Sequence, residues 1–321
     1  MTAIENPVST LIRLLKRYLA VIKDDGALAN IQVGQEWLDR ELLKSFDGQI
    51  TVGLDRGDDE KLSFDGSLRR LCLFMRVNAW TFDKSIREKM RSEINRVIHG
   101  KRNTPNHADY SFCGVGVASA THKAYHCASA NELLPNDYGW SELTDGEYQK
   151  IWYSDDNRFS KSVLEDGKFA FMLFRFKIDA EENVLKQIVL KFEGYGFAPA
   201  GNGVTVKVWN HVASAWENPV SGSGESDELL TITLASALPN YVDADGYAYL
   251  LAKTIFPSNG AAQAVLYCDY VEVEFTVDGI TYVDIVSFRD DDEVRIKPFL
   301  WRTEFIVKSW SFENVSALME G

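Results

Sequence analysis

Between residues 113 and 279, strand-length apolar runs recur at short intervals, and each closes in a cluster of turn-forming residues. The runs fall at 169–178, 187–192, 204–209, 229–234, 248–252 and 264–277. Gly, Pro, Asn, Asp and Ser gather at 135–139, 198–203, 218–227, 238–246 and 257–260. Hardly a helical stripe intervenes. Short strands at this spacing bury their apolar faces by stacking sheets, so the segment is expected to form an all-β sandwich or jelly roll. The chain has 321 residues, more than one ordinary core accommodates, and two domains are expected.

The flanking parts follow a different pattern. Asn6 and Pro7 supply a helix cap and a first turn. Val8, Leu11, Ile12, Leu15, Tyr18, Leu19 and Ile22 then recur at helical spacing, and Asp24-Asp25-Gly26 is expected to stop the helix. Arg13, Lys16, Arg17 and Lys23 fall on the opposite, solvated face. Residues 30–33 and 49–52 are expected to be strands, and 54–66, with Asp55, Asp58, Asp59, Glu60 and Gly66, a polar turn region. From Leu68 to Phe82 the alternation is strict, which predicts a strand. Asp83 caps a second helix with the stripe Ile86, Met90, Ile94, Val97 and Ile98, and Gly100 stops it. Strands are expected at 283–288 and 302–312. The simplest topology returns the last of these to the N-terminal sheet. The fold class is then an α+β core, α-β-β-β-α…β, made of residues 1–112 and 280–321, with an inserted β-sandwich, 113–279.

Charge divides the chain in the same places. Residues 1–112 carry 18 Lys/Arg against 16 Asp/Glu, residues 113–279 carry 11 against 23, and residues 280–321 carry 5 against 8, for −13 overall. The acidic middle repels a phosphate backbone, so no nucleic-acid contact is expected of it. Cys72, Cys113, Cys127 and Cys268 form no paired-cysteine motif, and four free thiols in a reducing compartment are expected. Charges interrupt the N-terminal apolar residues, so no secretory leader and no membrane span is expected, and synthesis is placed in the cytoplasm. The basic face of the first helix is read as solvated or as a subunit contact.

Candidate chemistry is sparse. His122, His126 and Cys127, with Cys113 upstream, carry metal-ligating atoms, but two histidines four apart in a strand lie too far apart for one ion, and ordinary strand residues are the favoured reading. Asp243-Ala-Asp245-Gly246 and Asp290-Asp-Asp-Glu293 lack the spaced pattern of a calcium loop and read as solvated turns. No hydrolase, zinc-protease or phosphate-loop motif is present, and no catalytic residue or cofactor is assigned. Trp209 and Trp216 flank a short loop in the middle segment. An exposed indole there would stack on the apolar face of a sugar while its polar neighbours bind hydroxyls; the alternative is that these rings fill the core.

Two resemblances extend this reading. Phe171–Ile178 and Gln187–Gly194 are similar to paired core strands of jelly-roll carbohydrate-binding modules. Val204–Asn210 followed by Trp216, and Tyr267–Phe275, resemble the Trp-bearing segment and closing strand of that family. The resemblance implies a sandwich and, through Trp209 and Trp216, a surface glycan as partner. In element order the flanks resemble tail-terminator or tail-completion proteins of tailed phages and archaeal viruses: first helix, short strands, the strand ending Arg76–Trp80, helix 84–99 and the closing strand 302–313. That resemblance implies a structural virion protein of the neck, with no enzymatic activity. It would form a homo-oligomeric, typically hexameric ring between tail tube and connector, with the sandwich projecting outwards as decoration. The alternative is a glycan-binding adhesin module without ring assembly.

Overall fold

The computed structural model describes residues 4–35, 37–64, 68–295 and 297–314. The chain begins with α1 (Pro7–Tyr18), β1 (Ile31–Gly34), α2 (Arg40–Leu43), β2 (Gly48–Lys61), β3 (Leu68–Thr81) and α3 (Lys84–Gly100). There follow β4 (His107–Ser111), β5 (Lys123–Ser129), β6 (Ser141–Glu142), α4 (Asp145–Tyr148), β7 (Phe159–Val163), β8 (Phe169–Lys177) and β9 (Leu185–Ala198). Next are β10 (Gly201–Asn202), β11 (Val204–Asn210), β12 (Ala215–Gly222), β13 (Glu228–Leu234), β14 (Tyr247–Thr254) and β15 (Ala264–Val277). The last elements are β16 (Tyr282–Asp290) and β17 (Trp301–Asn314). Two compact units result, Met1–Ala108 with Val277–Gly321, and Asp109–Thr276.

In the first unit the sheet order is β1-β2-β3-β17-β16. β17 lies antiparallel to β3, with Met75 opposite Val307 and Val77 opposite Phe305. Alternation turns these four side chains to one face, where they form a core with Leu11, Leu14 and Leu15 of α1 and Met90, Ile94 and Val97 of α3. α1 starts as its sequence dictates, with the Asn6 side chain accepting the Val8 N–H at 2.9 Å. It ends at Tyr18, short of the expected Ile22: Leu19 is extended, Val21 turns into the core, and Ile22 is exposed. Arg13 also departs from expectation. It is buried, paired with the equally buried Glu5. α3 is capped by Asp83, whose carboxylate accepts from Ser85 N–H and Ile86 N–H.

The polar turn expected over 54–66 is mostly strand. β2 continues to Lys61 opposite β3, and Asp55, Asp59 and Glu60 pair with Arg76, Arg69 and Arg70. Opposite charges across two antiparallel strands stabilise polar ladders that contain few strand-favouring residues; Gly66 lies outside the described residues. The acidic run at 290–293 is likewise ion-paired and not merely solvated. Asp290 pairs with Arg91 at 2.8 Å, Asp291 with Arg302 at 3.2 Å, Asp292 with Arg87 at 2.8 Å, and Glu293 with Arg40. At the junction of the sequence segments, Val277 N–H donates to Asn106 O at 3.0 Å, and Asn106 Nδ2 donates to Val277 O at 2.9 Å.

The second unit consists of two six-stranded sheets. One has the order β10-β9-β15-β4, with β13 also on β9 and β7 on β15; the other is β12-β11-β14-β8-β5-β6. Phe174 of β8 meets Phe192 of β9 with ring centroids 6.1 Å apart, which joins the two inner faces. Phe112 fills the same layer against Phe176 at 5.1 Å. At Gly194 any Cβ would lie 2.2 Å from the Tyr267 carbonyl oxygen, so this position in β9 accepts no side chain. The molecule is thus mainly β. No helix among the described residues is long and apolar enough to cross a membrane.

Candidate ligand-binding face

Alternation along the β12-β11-β14-β8-β5-β6 sheet sends Phe174 and Phe176 towards the sandwich core, and therefore Leu173, Arg175 and Lys177 towards the opposite face. That face carries its own side-chain clusters. Leu173, Trp209 and Tyr249 are buried together, with Tyr125, Trp140, Trp216 and Tyr247 partly exposed around them. Cys127, Phe171 and Leu251 form a neighbouring group with Leu133, Trp140, Phe169 and Trp216.

Part of this face is covered by the segment between β5 and β6. Trp216 Nε1 donates to Leu133 O at 2.9 Å, and Trp140 Nε1 donates to Leu134 O at 2.8 Å. Glu132 receives both Lys207, at 2.7 Å, and Lys253, at 2.8 Å. Burial alone would raise the Glu132 carboxyl, but the two ammonium groups outweigh it and hold it below its ordinary value. The Glu132 carboxylate, held by lysines of the neighbouring strands β11 and β14, thus ties the segment to the sheet.

Beyond that cover lie Tyr125, Arg175, Tyr247, Tyr249 and His211. Arg175 is the register partner of Tyr249, and its guanidinium carbon lies 4.5 Å from the centre of the Tyr247 ring. The Lys177 ammonium is 5.1 Å from the same ring. The His211 ring lies 5.7 Å from that of Tyr249. Burial lowers the His211 pKa and raises that of Tyr249 to about 12, so both are neutral at pH 7. This is an apolar floor with donors and acceptors at its rim, which can stack a flat or cyclic ligand and hydrogen-bond its edges.

Trp209 and Trp216 face each other across β11 and β12, with centroids 5.1 Å apart in an edge-on arrangement. Trp209 is only 7 % exposed, so its ring lies in the floor, while Trp216 is partly exposed. Tyr125, Arg175, Tyr247, Tyr249 and His211 were not singled out by their sequence pattern. The available signal was the charge at Arg175 and Lys177 at alternate positions in an otherwise apolar strand.

The histidine and cysteine atoms considered for metal binding do not converge. His122 is buried among aromatic rings and accepts the Lys177 backbone N–H at 3.2 Å through Nδ1. Burial lowers His126 and pushes the Cys127 thiol up to about 12, while Cys113 is exposed beside the Tyr153 hydroxyl. Asp243 accepts the Tyr247 N–H at 2.8 Å within its turn. A different acidic group is present: oxygens of Asp156, Asp227 and Asp269 lie within 4.8 Å of one another. Arg158 already bridges two of them, with Nε 2.7 Å from Asp227 and Nη2 2.5 Å from Asp156.

Comparison with known proteins gives the following. A family model described as an uncharacterized protein, C-terminal domain, matches residues 119–277. No curated protein matches the chain. Among solved structures, the xylan-binding module CBM15 is similar over 54 % of this chain and 98 % of its own, at 12 % identity and a TM-score of 0.31. A CBM4 structure is similar over 47 % of this chain and 94 % of its own, at 13 % identity and a TM-score of 0.28. A carbohydrate-binding module of the β-sandwich superfamily covers 64 % of this chain and 72 % of its own, at 9 % identity and a TM-score of 0.23.

Proposed function

We propose that the second unit is a non-catalytic saccharide-binding module whose ligand lies on the open face of the β12-β11-β14-β8-β5-β6 sheet. The observation that carries this reading is the cluster of Tyr125, Tyr247 and Trp216, partly exposed around a buried floor on the side of the sheet away from the sandwich core. Aromatic faces take up the apolar side of a sugar ring, and neighbouring polar groups select its hydroxyls. Trp216 is the platform in this reading, and Trp209 supports it from beneath.

The test is retardation of the whole chain in native gels cast with soluble polysaccharides, neutral and acidic. The unmodified protein is expected to be slowed by at least one polymer. Tyr247→Ala and Trp216→Ala should each weaken that interaction about tenfold or more while keeping the β-type circular dichroism. Migration unaffected by every polymer in the panel would end the proposal.

A second reading concerns the first unit, as a homo-oligomeric ring component of a virion neck contacting tail-tube and connector proteins. It is supported by open sheet edges: β16 is an outermost strand, and β1 covers β2 only along Gly48–Thr51. Two unlike edges that pair head to tail generate a ring. Light scattering that gives a monomer at all concentrations would remove this reading.

A further inference from the structure

Across the saccharide face every lysine has an oxygen partner. Lys207 and Lys253 share Glu132, Lys123 binds Glu142 and the Val117 carbonyl, and Lys177 reaches the Asp245 carbonyl. Arg175 differs. Its Nε is buried with no hydrogen-bond partner, and its described contacts are with the Tyr247 ring and the strand ladder. An arginine left without a carboxylate is unexpected in a segment with 23 acidic against 11 basic side chains. A guanidinium presents a planar fork of donors whose best complement is a carboxylate.

The other side of the same floor holds a second unpaired atom. His211 Nε2 is buried without a partner. Burial lowers the His211 pKa and favours the neutral ring, in which Nε2 carries either a proton or a lone pair. Asp243 is close enough to act on both His211 and Tyr249, but its Oδ1 is taken by the Tyr247 N–H. Arg175 on β8 and the end of β11 are separated by β14, a span of about 10 Å at the usual strand spacing. Tyr247, partly exposed, offers its ring face beside the guanidinium, while the His211 ring lies against the buried Tyr249.

We infer that the ligand of this face is an acidic saccharide, a uronate, whose carboxylate is received by Arg175. The inference rests on the saccharide reading above and adds the charge of the ligand to it. Electrostatic attraction at long range is not the source of affinity, because the surrounding segment is itself acidic; selectivity comes from the local pairing of fork and carboxylate.

The experiment is calorimetric titration of the full chain with oligogalacturonate, oligomannuronate and a glucuronate-substituted xylo-oligosaccharide. Each is compared with its methyl ester, which keeps the ring and removes the charge. An unsubstituted xylo-oligosaccharide and a sulfated galactan complete the series. At least one uronate is expected to bind tenfold or more tighter than its ester. Arg175→Gln should reduce that ratio to about one. Independently of any variant, the Arg175 Nε–H resonance of the unmodified protein should shift on adding the uronate and stay in place with the ester. Equal affinity for acid and ester, a ratio unaltered in Arg175→Gln, or preference for the sulfated galactan overturns the inference and leaves the saccharide reading intact. Absence of binding to the whole series overturns the inference, and absence of retardation by every polymer of the gel panel overturns the saccharide reading as well.

Discussion

Arg13 and Glu5 form an ion pair with only 4 % and 7 % of their side chains exposed, and the Thr10 hydroxyl donates to the same carboxylate. Arg13 Nη2 donates to Glu5 Oε2 at 2.6 Å, so the guanidinium lies along α1 and stays out of water. A buried pair of this kind contributes little net stability while intact, yet removal of one partner leaves an uncompensated charge. Arg13→Met alone is therefore expected to destabilise the protein by about 3–5 kcal/mol. The double change Arg13→Met with Glu5→Gln should recover most of that loss. Urea unfolding of both variants checks the prediction, and equal losses in the single and double variants would contradict it.

Trp209 and Trp216 touch, but their substitutions should have different effects. Trp209 is buried at the centre of its cluster. Trp209→Ala removes a large core side chain and is expected to cost about 3–5 kcal/mol. Trp216 is only partly buried, and Trp216→Ala should cost about 1–2 kcal/mol by lost burial while abolishing polysaccharide retardation. Thermal unfolding beside the gel assay separates the two, and a Trp216→Ala protein that is retarded normally would remove that ring from the site.

Asp269 supplies a pH prediction. Burial raises its pKa, and the nearby Asp227 and Glu193 charges add to the effect, while Oδ1 has no hydrogen-bond partner. A carboxyl raised in the folded state supports folding fully below its unfolded pKa of about 3.9 and loses that support as pH rises through the folded value. Asp269→Asn keeps the shape without the charge. It should unfold at higher urea than the parent at pH 7.5, and the difference should vanish near pH 3.5. An advantage that is the same at both pH values would argue against a raised Asp269.

The first sheet was legible because its strands alternate, and the second unit because apolar runs of strand length end in turn-forming clusters. Leu71 to Ala79 shows one apolar face at every second position and burial follows it, whereas Phe171–Phe174 is apolar and buried on both faces because the outer side of that sheet carries its own clusters. The end of β2 was not legible: Asp55, Asp58, Asp59 and Glu60 have the composition of a turn, and only the arginines of β3 opposite make them a strand. Arg13 was hidden for a similar reason, since its partner Glu5 lies before the helix and has no place in a helical stripe. The tryptophans of the candidate site were visible by residue type. Tyr125, Arg175, Tyr247 and His211 come from four separate segments, and only cross-strand register brings them together, as in the pairing of Arg175 with Tyr249.

The two hydrogen bonds between Asn106 and Val277 leave the host fold already sutured at the point where the chain departs and returns. A gene in which these codons are joined through a brief glycine bridge would still encode every strand of the five-stranded sheet. The intervening stretch is therefore dispensable to the pairing of that sheet, because none of its five strands is drawn from residues 107–276.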